Sequence, residues 1–500
     1  MKQSWLIFLL LSLVAAQAFP QNFGRNKIQY ETIHWKKLQS RHFDVYYYAG
    51  GYHLAEFAAD AAESSYVKLS RDINYELVDR ISIIVYNSHA DFEETNVSPE
   101  IVSSSVGGFT EFFKNRVIIP FEGSYEKFRH VLHHELTHAV SLQFFFGAGP
   151  GAILKGISRL NLPLWFVEGM AEYMSLRWNS DSDMFLRDAS ISGYLPEIPN
   201  LSAYMAYKGG QSLYYYIAKT YGDKKISEML WSVRNRRNVE QGIKEALRID
   251  LKELSEQWRT AMRKQYWPDI KDRKSPKEFS QRLTDNRKWM NFVNNSPALS
   301  PNGDKLAFLS DKSGYFDIYL MSTQDAKIIK KLVSGQRKAD LEDLNWLTPG
   351  MSWSGDGKSL VFSAKSGAED ALKIIDVEKN EISESLKLGL DAIYSPNWNP
   401  KKNQIVFSGL KDGATDIYIY DLDAKQLTRV TKDIFSDLSP VWSPDGARIA
   451  FTSDRGEMIE NLSADIKIQN FDYHQTDIYL VNPADQQIQP ITRTPEYQEI

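Results

Sequence analysis

The segment His133-His134-Glu135-Leu136-Thr137-His138 sets two histidines four residues apart with a glutamate beside the first. On a helix that spacing puts His134 and His138 on one face, where both imidazoles can reach a single metal ion. Glu135, one step round, can then accept a proton from a water on that metal. Two histidines make an incomplete site, so the pattern calls for a third ligand. The stretch Leu162-Pro-Leu-Trp-Phe-Val-Glu168-Gly-Met-Ala-Glu172-Tyr offers one. It reads as a second helix opened by Pro163, with Leu164, Trp165, Val167, Met170 and Ala171 surrounding the acids. Carboxylates are rarely buried without a counter-charge or a metal, so Glu168 and Glu172 ask for a cation. The simplest arrangement makes Glu168 the third ligand of Zn2+ and has Glu172 hydrogen-bond the free ring nitrogen of a ligating histidine. His130 and His133 share the first helix. A fourth protein ligand would close the position that water needs, so both are read as structural or as supporting the ligands from outside. The bland alternatives are two core histidines with a surface glutamate, and a solvated glutamate pair; the apolar flanks argue against them.

HExxH followed by a W-F-x-E-G-x-A-E helix resembles the gluzincin metallopeptidases, in particular the peptidase MA-like family, over about residues 31–267. The resemblance implies one zinc ion per chain and hydrolysis of peptide bonds, with Glu135 as general base. It further implies a tyrosine hydroxyl that stabilises the oxyanion, three residues before a glycine opening the next helix. Tyr207, ahead of Gly210, takes that place, with Tyr204 the alternative and a plain packing role also open to Tyr207. One departure is the gap between His138 and Glu168, which at 29 residues is longer than in many gluzincins. Its Gly- and apolar-rich part, residues 144–156, is read as a substrate-gating loop or a partner surface.

The elements that must position these residues can be traced along the chain. Short strands are expected at 33–38, Phe43–Tyr47, Ile81–Tyr86 and Arg116–Pro120, and an alanine-rich amphipathic helix at 53–69. From the family resemblance, Arg116–Pro120 is the edge strand beside the site, on which a peptide could pair by strand addition. Residues 204–266 are helical by their three- and four-residue apolar spacing. Then Trp267-Pro268 opens a charged, apolar-poor stretch to about residue 288 that reads as a linker.

Beyond the linker a repeat begins. Ser296 to Phe308, Gly350 to Phe362, Pro396 to Phe407 and Pro440 to Phe451 share one pattern, and their final phenylalanines are 54, 45 and 44 residues apart. Each copy predicts strand, Pro-Asp-Gly-type turn and strand, and Asp317-Ile-Tyr319, Asp416-Ile-Tyr418 and Asp477-Ile-Tyr479 mark a further strand. That period is the signature of a β-propeller, and the motifs resemble TolB-like repeats. At least four blades are expected. Residues 491–494 read as the last strand before a fifth copy, so an open fragment of a longer propeller is preferred over a closed four-bladed ring. Residues 457–475, polar and amide-rich, are expected to be a flexible loop. The chain is thus multidomain: signal peptide 1–18, α+β zincin-like metallopeptidase domain 28–267, linker 268–288 and all-β TolB-like propeller 289–500.

Composition sets the surroundings. Lys2, the apolar run from Trp5 to Val14 and Ala16-Gln17-Ala18 before Phe19 form a secretory signal peptide, too short to span a bilayer. No later segment reaches transmembrane length. The chain has no cysteine, which suits an exported protein of a bacterial periplasm or envelope, periplasmic or secreted, and rules out thiolate ligands. With 59 basic and 64 acidic residues there is no electrostatic case for nucleic acid. The densest basic cluster, Arg234 to Arg237, is expected to cap a helix end in solvent. The expected activity is an exported zinc metallopeptidase acting on a peptide or protein, with the propeller gating or recruiting substrate, or binding an envelope protein. The alternative is a propeller-based interaction module on a non-catalytic zincin scaffold.

Overall fold

A computed structural model of the chain describes residues 30, 32–98, 102, 105–149, 151, 160–347, 350–458 and 467–493. The expected signal peptide, residues 152–156 of the expected gating loop, residues 459–466 of the expected flexible loop and Thr494 lie outside the described residues.

The first domain opens with β1 (Lys36–Gln39) and β2 (Phe43–Tyr47), followed by α1 (Tyr52–Ile73), β3 (Ile81–Tyr86), the short α2 (His89–Glu93), β4 (Phe109–Glu111) and β5 (Arg116–Pro120). The sheet runs β1-β2-β3-β5-β4, with β2, β3 and β5 mutually parallel and the outer pairs antiparallel. Arg116–Pro120 is therefore an interior strand, and the edge is Phe109–Glu111. Three residues are too few to print an alternating pattern, so this strand left no signal, and the family resemblance had put the edge at the apolar run instead. The alternate side chains Ile81, Ile83, Val85 and Val117, Ile119 are fully buried against α1 and α3 (Tyr125–Phe146).

The rest of the domain is helical: α4 (Leu164–Leu176), α5 (Ser180–Ile191), α6 (Tyr204–Tyr221), α7 (Lys224–Arg236), α8 (Val239–Leu247) and α9 (Leu251–Tyr266). At the end of α7, Arg236 and Arg237 are exposed as expected, but Arg234 is half-buried. Its guanidinium lies over the rings of Trp231, Phe144 and Tyr75 at 4.9, 5.0 and 5.9 Å, where an aromatic face favours a cation.

Helices α4 and α6 approach to backbone contact through two glycines. A Cβ on Gly169 would sit 2.5 Å from the Gly210 backbone, and one on Gly210 would sit 2.5 Å from the Trp165 carbonyl oxygen. Gly210 thus lies inside α6 rather than opening it, and its role is close approach.

Two short 3₁₀ turns and α10 (Asn286–Trp289) lead to the second domain. Four four-stranded antiparallel sheets follow, each in consecutive order. The first holds β6 (Asn294–Leu299), β7 (Lys305–Ser310), β8 (Asp317–Ser322) and β9 (Ile328–Ser334). The second holds β10 (Met351–Trp353), β11 (Ser359–Ser366), β12 (Glu369–Asp376) and β13 (Glu381–Lys387). The third holds β14 (Ala392–Trp398), β15 (Gln404–Lys411), β16 (Ala414–Asp421) and β17 (Gln426–Arg429). The fourth holds β18 (Leu438–Trp442), β19 (Ile449–Ser453), β20 (Asp477–Val481) and β21 (Ile488–Pro490), so the last described strand precedes the expected 491–494. Gly303, Gly357 and Gly446 have φ near +70° in the tight turns after the first strands of the first, second and fourth sheets.

The domains share a hydrophobic core. Tyr394, Leu410, Phe435 and Ile468 of the propeller cluster with the first domain's buried residues. The described end of the 457–475 segment is docked, not free: Lys467 pairs with Glu56 at 2.8 Å, Gln469 donates to Asp60 at 3.1 Å, and the Tyr473 ring meets Phe57 edge-on at 5.1 Å. The polar composition that suggested a loose loop hides three apolar residues, Ile468, Phe471 and Tyr473, that join the first domain's core cluster.

Where the third and fourth sheets meet, Asp416, Asp433, Asp437 and Asp454 are buried around a fully buried Arg455. Burial first, and the Asp437 charge next, push the Asp454 carboxyl from 3.8 up to about 7.

Two predictions rest on this packing. Gly210→Ala should cost about 1–3 kcal/mol of stability in urea unfolding, because a methyl meets backbone that cannot swing aside. The folded chain holds a proton on Asp454 that the unfolded chain releases, so its stabilising contribution is complete below 3.8 and lost as pH rises through about 7. Asp454→Asn should therefore unfold like the parent at about pH 4 and gain stability over it, by at most about 4 kcal/mol, toward about pH 8.

Candidate active site

Helix α3 starts where the Ser124 hydroxyl accepts from the Lys127 amide at 3.4 Å, and stops at Gly147, whose φ of 91° no other residue adopts readily. Between them the helix carries His130, His134, Glu135 and His138 along the face turned to α4 and the edge strand. Phe144 to Phe146, expected to begin a gating loop, form its last turn. α4 starts after Pro163, as its sequence predicts, but Leu164 is exposed and Val167 is only half-buried, against the expectation that all its apolar residues enclose the acids.

The glycine contact with α6 aims α4 so that both its carboxylates meet α3. Glu168 Oε2 lies 3.2 Å from His134 Nε2 and 3.3 Å from His138 Nε2, and the two Nε2 atoms are 3.1 Å apart. Glu172 Oε1 lies 3.0 Å from His134 Nδ1 and 3.4 Å from His130 Nε2, and its Oε2 accepts from Lys208 Nζ at 2.7 Å. Glu135 is buried, with Thr110 Oγ1 of the edge strand 2.8 Å from both its Oε2 and its backbone oxygen.

The donor set fits a tetrahedral zinc. Ligand bonds of about 2.0–2.1 Å place donors about 3.3 Å apart, and the three separations measured here match that edge. A proton on His134 Nδ1, donated to Glu172, leaves Nε2 free to face the triangle. Charge agrees. Glu135, Glu168 and Glu172 face one ammonium, Lys208, so neutral imidazoles leave the cluster two positive charges short. Burial alone would lower His134, but its bonds to Glu168 and Glu172 prevail and push it up to about 10. Burial likewise tends to raise Glu168, and the two histidines overcome it to hold the carboxyl at about 2. Burial also opposes ionisation of Glu172, and His130 and His134 outweigh it to keep that carboxyl far below its ordinary value.

The tyrosines separate. Tyr207 stacks on the His134 ring at 6.0 Å and 15°, and burial, then the charges of Glu168 and Glu135, raise its hydroxyl so that it keeps its proton. Tyr204 is exposed at the rim, edge-on to Phe185. His133 is buried with neither ring nitrogen hydrogen-bonded, and burial holds it neutral. All the other residues named from the sequence, His134, Glu135, His138, Glu168, Glu172 and Tyr207, line one cavity of about 870 Å³. Two contributors were not anticipated. Lys208 follows Tyr207 directly, and a lysine in that apolar helix is the one signal for a counter-charge to a buried acid; Thr110, in a three-residue strand, leaves no signal in the sequence.

Residues 61–264 match the family model of the Peptidase MA superfamily, and residues 333–460 that of the TolB beta propeller domain. A "Protein TolB homolog" of Chlorobium luteolum is 30% identical over 154 residues, covering 31% of this chain and 32% of that protein. "Tol-Pal system protein TolB" of Francisella tularensis subsp. tularensis is 28% identical over 167 residues, covering 32% of this chain and 35% of that protein. The chain spans about a third of the length of these curated relatives. Among solved structures, TolB from Acinetobacter baumannii aligns with a TM-score of 0.30 at 19% identity, covering 40% of this chain and 44% of that chain. No helix among the described residues is long and apolar enough to cross a membrane.

Because Glu172 holds His134 in register, Glu172→Ala should weaken zinc binding by roughly 10- to 100-fold, read by competition with a chromophoric chelator. Unchanged affinity would separate Glu172 from the metal-binding unit.

Proposed function

We propose that this chain, a Peptidase MA superfamily domain joined to a TolB-like β-propeller, is an exported zinc-dependent metallopeptidase of the bacterial periplasm or envelope. The observation that carries the reading is the triangle of His134, His138 and Glu168, with Glu135 beside it on the floor of an open cleft. A zinc ion, which His134, His138 and Glu168 would hold, would supply Lewis-acid polarisation of the scissile carbonyl and lower the pKa of a water toward neutrality.

The chain's own residues handle the protons. Thr110 holds Oε2 of Glu135, which orients the carboxylate as general base. Glu135 takes one proton from the attacking water as its oxygen bonds to the peptide carbon. It then passes that proton to the leaving amine as the C–N bond breaks. Tyr207, kept protonated, donates a hydrogen bond to the oxyanion that develops on the carbonyl. Glu172 fixes the tautomer of His134, and Lys208 neutralises Glu172 so that the buried charge is tolerated.

The propeller recruits a protein substrate or an envelope partner, or limits access to the cleft. Its docking on α1 through Lys467, Gln469 and Tyr473 supports action in concert with the first domain. Export is supported by the Lys2, Trp5 to Val14 and Ala16-Gln17-Ala18 pattern.

Glu135→Gln should keep one zinc per chain by metal analysis and lose peptide hydrolysis by roughly 10²- to 10⁴-fold. Hydrolysis at the parent rate would overturn the mechanism. Bound zinc with no cleavage by the parent chain would favour the scaffold reading.

A further inference from the structure

Helix α6 carries Tyr207 and Lys208, and the chain enters it through a tight reversal. Ile198 and Leu201, at the start of the 3₁₀ turn Ile198–Asn200 and just after it, are buried, and the Ile198 amide donates to Ser255 Oγ at 3.1 Å. Leu201 lies back along the helix that it leads into: a Cβ on Gly209 would fall 2.6 Å from Leu201 Cδ2. One residue on, Gly210 fixes α6 on α4 at backbone contact. The entry is pinned on one side and the helix on the other, so Ser202 and Ala203 must turn the chain round between them.

Ala203 absorbs the turn. Its φ of 47° and ψ of −138° are close to those of the first central residue of a type II′ turn, a position that glycine dominates. A Cβ is strained there, and a non-glycine residue persists in such a conformation only where its surroundings over-determine it. Asparagine and aspartate offset part of that cost by bonding the local backbone, and alanine has no group to do so. No side chain caps α6 either; its Ala206 amide donates to the carbonyls of Ser202 and Ala203 at 3.3 and 3.0 Å. Tyr207 stands in this first turn, and its ring lies over that of His134 at 6.0 Å. Ala203 and Tyr207 both line the cleft. Where the phenol stands therefore depends on how the reversal before it is held. Glycine would make that reversal without strain, but it would also open other paths through it.

We propose that Ala203 is a positioning residue: its constrained backbone holds the first turn of α6 in one place and so keeps Tyr207 on the His134 ring. Strain in the turn is exchanged for restriction of the chain. Its effect on rate rests on the metallopeptidase reading, in which the Tyr207 hydroxyl must meet the carbonyl oxygen as charge develops there, and small displacements are costly.

Ala203→Gly in the zinc-loaded full chain separates stability from function. The variant should unfold at a higher urea concentration than the parent, because the strain is released. It should nonetheless take up deuterium roughly 3-fold faster over residues 206–208, read by hydrogen-exchange mass spectrometry, because the turn is looser. On the peptide that the parent cleaves fastest from a proteome-derived library, kcat should fall roughly 10-fold with KM and zinc content unchanged. In a Tyr207→Phe background the same substitution should lower kcat no further, since its effect passes through the hydroxyl. A lower unfolding midpoint, exchange at the parent rate, unchanged kcat, or an equal loss with and without the hydroxyl would overturn the proposal and leave the metallopeptidase reading intact. A parent chain that binds zinc and cleaves no peptide would end that reading instead. The exchange and unfolding measurements need no substrate, so they would still decide the role of Ala203.

Discussion

The contact between Gly169 and Gly210 sets the geometry on which the site depends. Two helices with ordinary side chains at their crossing stand 8–10 Å apart. Here the backbones meet, since any Cβ would fall within 2.5 Å of the facing chain. That closeness lets Lys208, two residues before Gly210, reach Glu172, three residues after Gly169. It also lays Tyr207 flat against His134. A carboxylate at the far side of a normal helix gap would leave the ammonium and the histidines with water instead of each other. The glycine pair therefore governs electrostatics as well as packing.

Given that approach, the charges organise themselves around one deficit. Glu168 and Glu172 stay ionised despite burial because imidazoles and an ammonium surround them. The same pairing drives His134 toward the charged form when no cation is present. A cation taken up there would compete with the proton on His134. Thr110 brings the sheet into this arrangement, because its hydroxyl ties the edge strand to Glu135 and fixes how far the strand lies from the base.

The second domain is joined to the first by more than a linker. Ile468 and Phe435 share the first domain's core, and Lys365 of the second sheet pairs with Glu93 of α2. His53 Nε2 meets the Gly413 carbonyl at 3.1 Å. With apolar and polar ties along α1 and α2, the propeller is held against the helix-and-sheet body at several points.

Elements whose signals are local were legible along the chain. Helical spacing identified α3 and α4, apolar flanks marked Glu168 and Glu172 as buried acids, and a repeat of about 45 residues announced antiparallel blades. Each of these signals lies within a dozen residues or recurs at a fixed period. Only the tertiary structure decided what depends on residues far apart. It placed the edge at Phe109–Glu111 rather than Arg116–Pro120, brought Thr110 to Glu135 across 25 positions and Lys208 to Glu172 across 36, and turned Gly210 from a helix opener into a crossing point. It also seated Ile468 in a core that begins some four hundred residues earlier. Periodicity reports which face of an element is buried; it carries no record of which partner buries it, and the chemistry here resides in the partners.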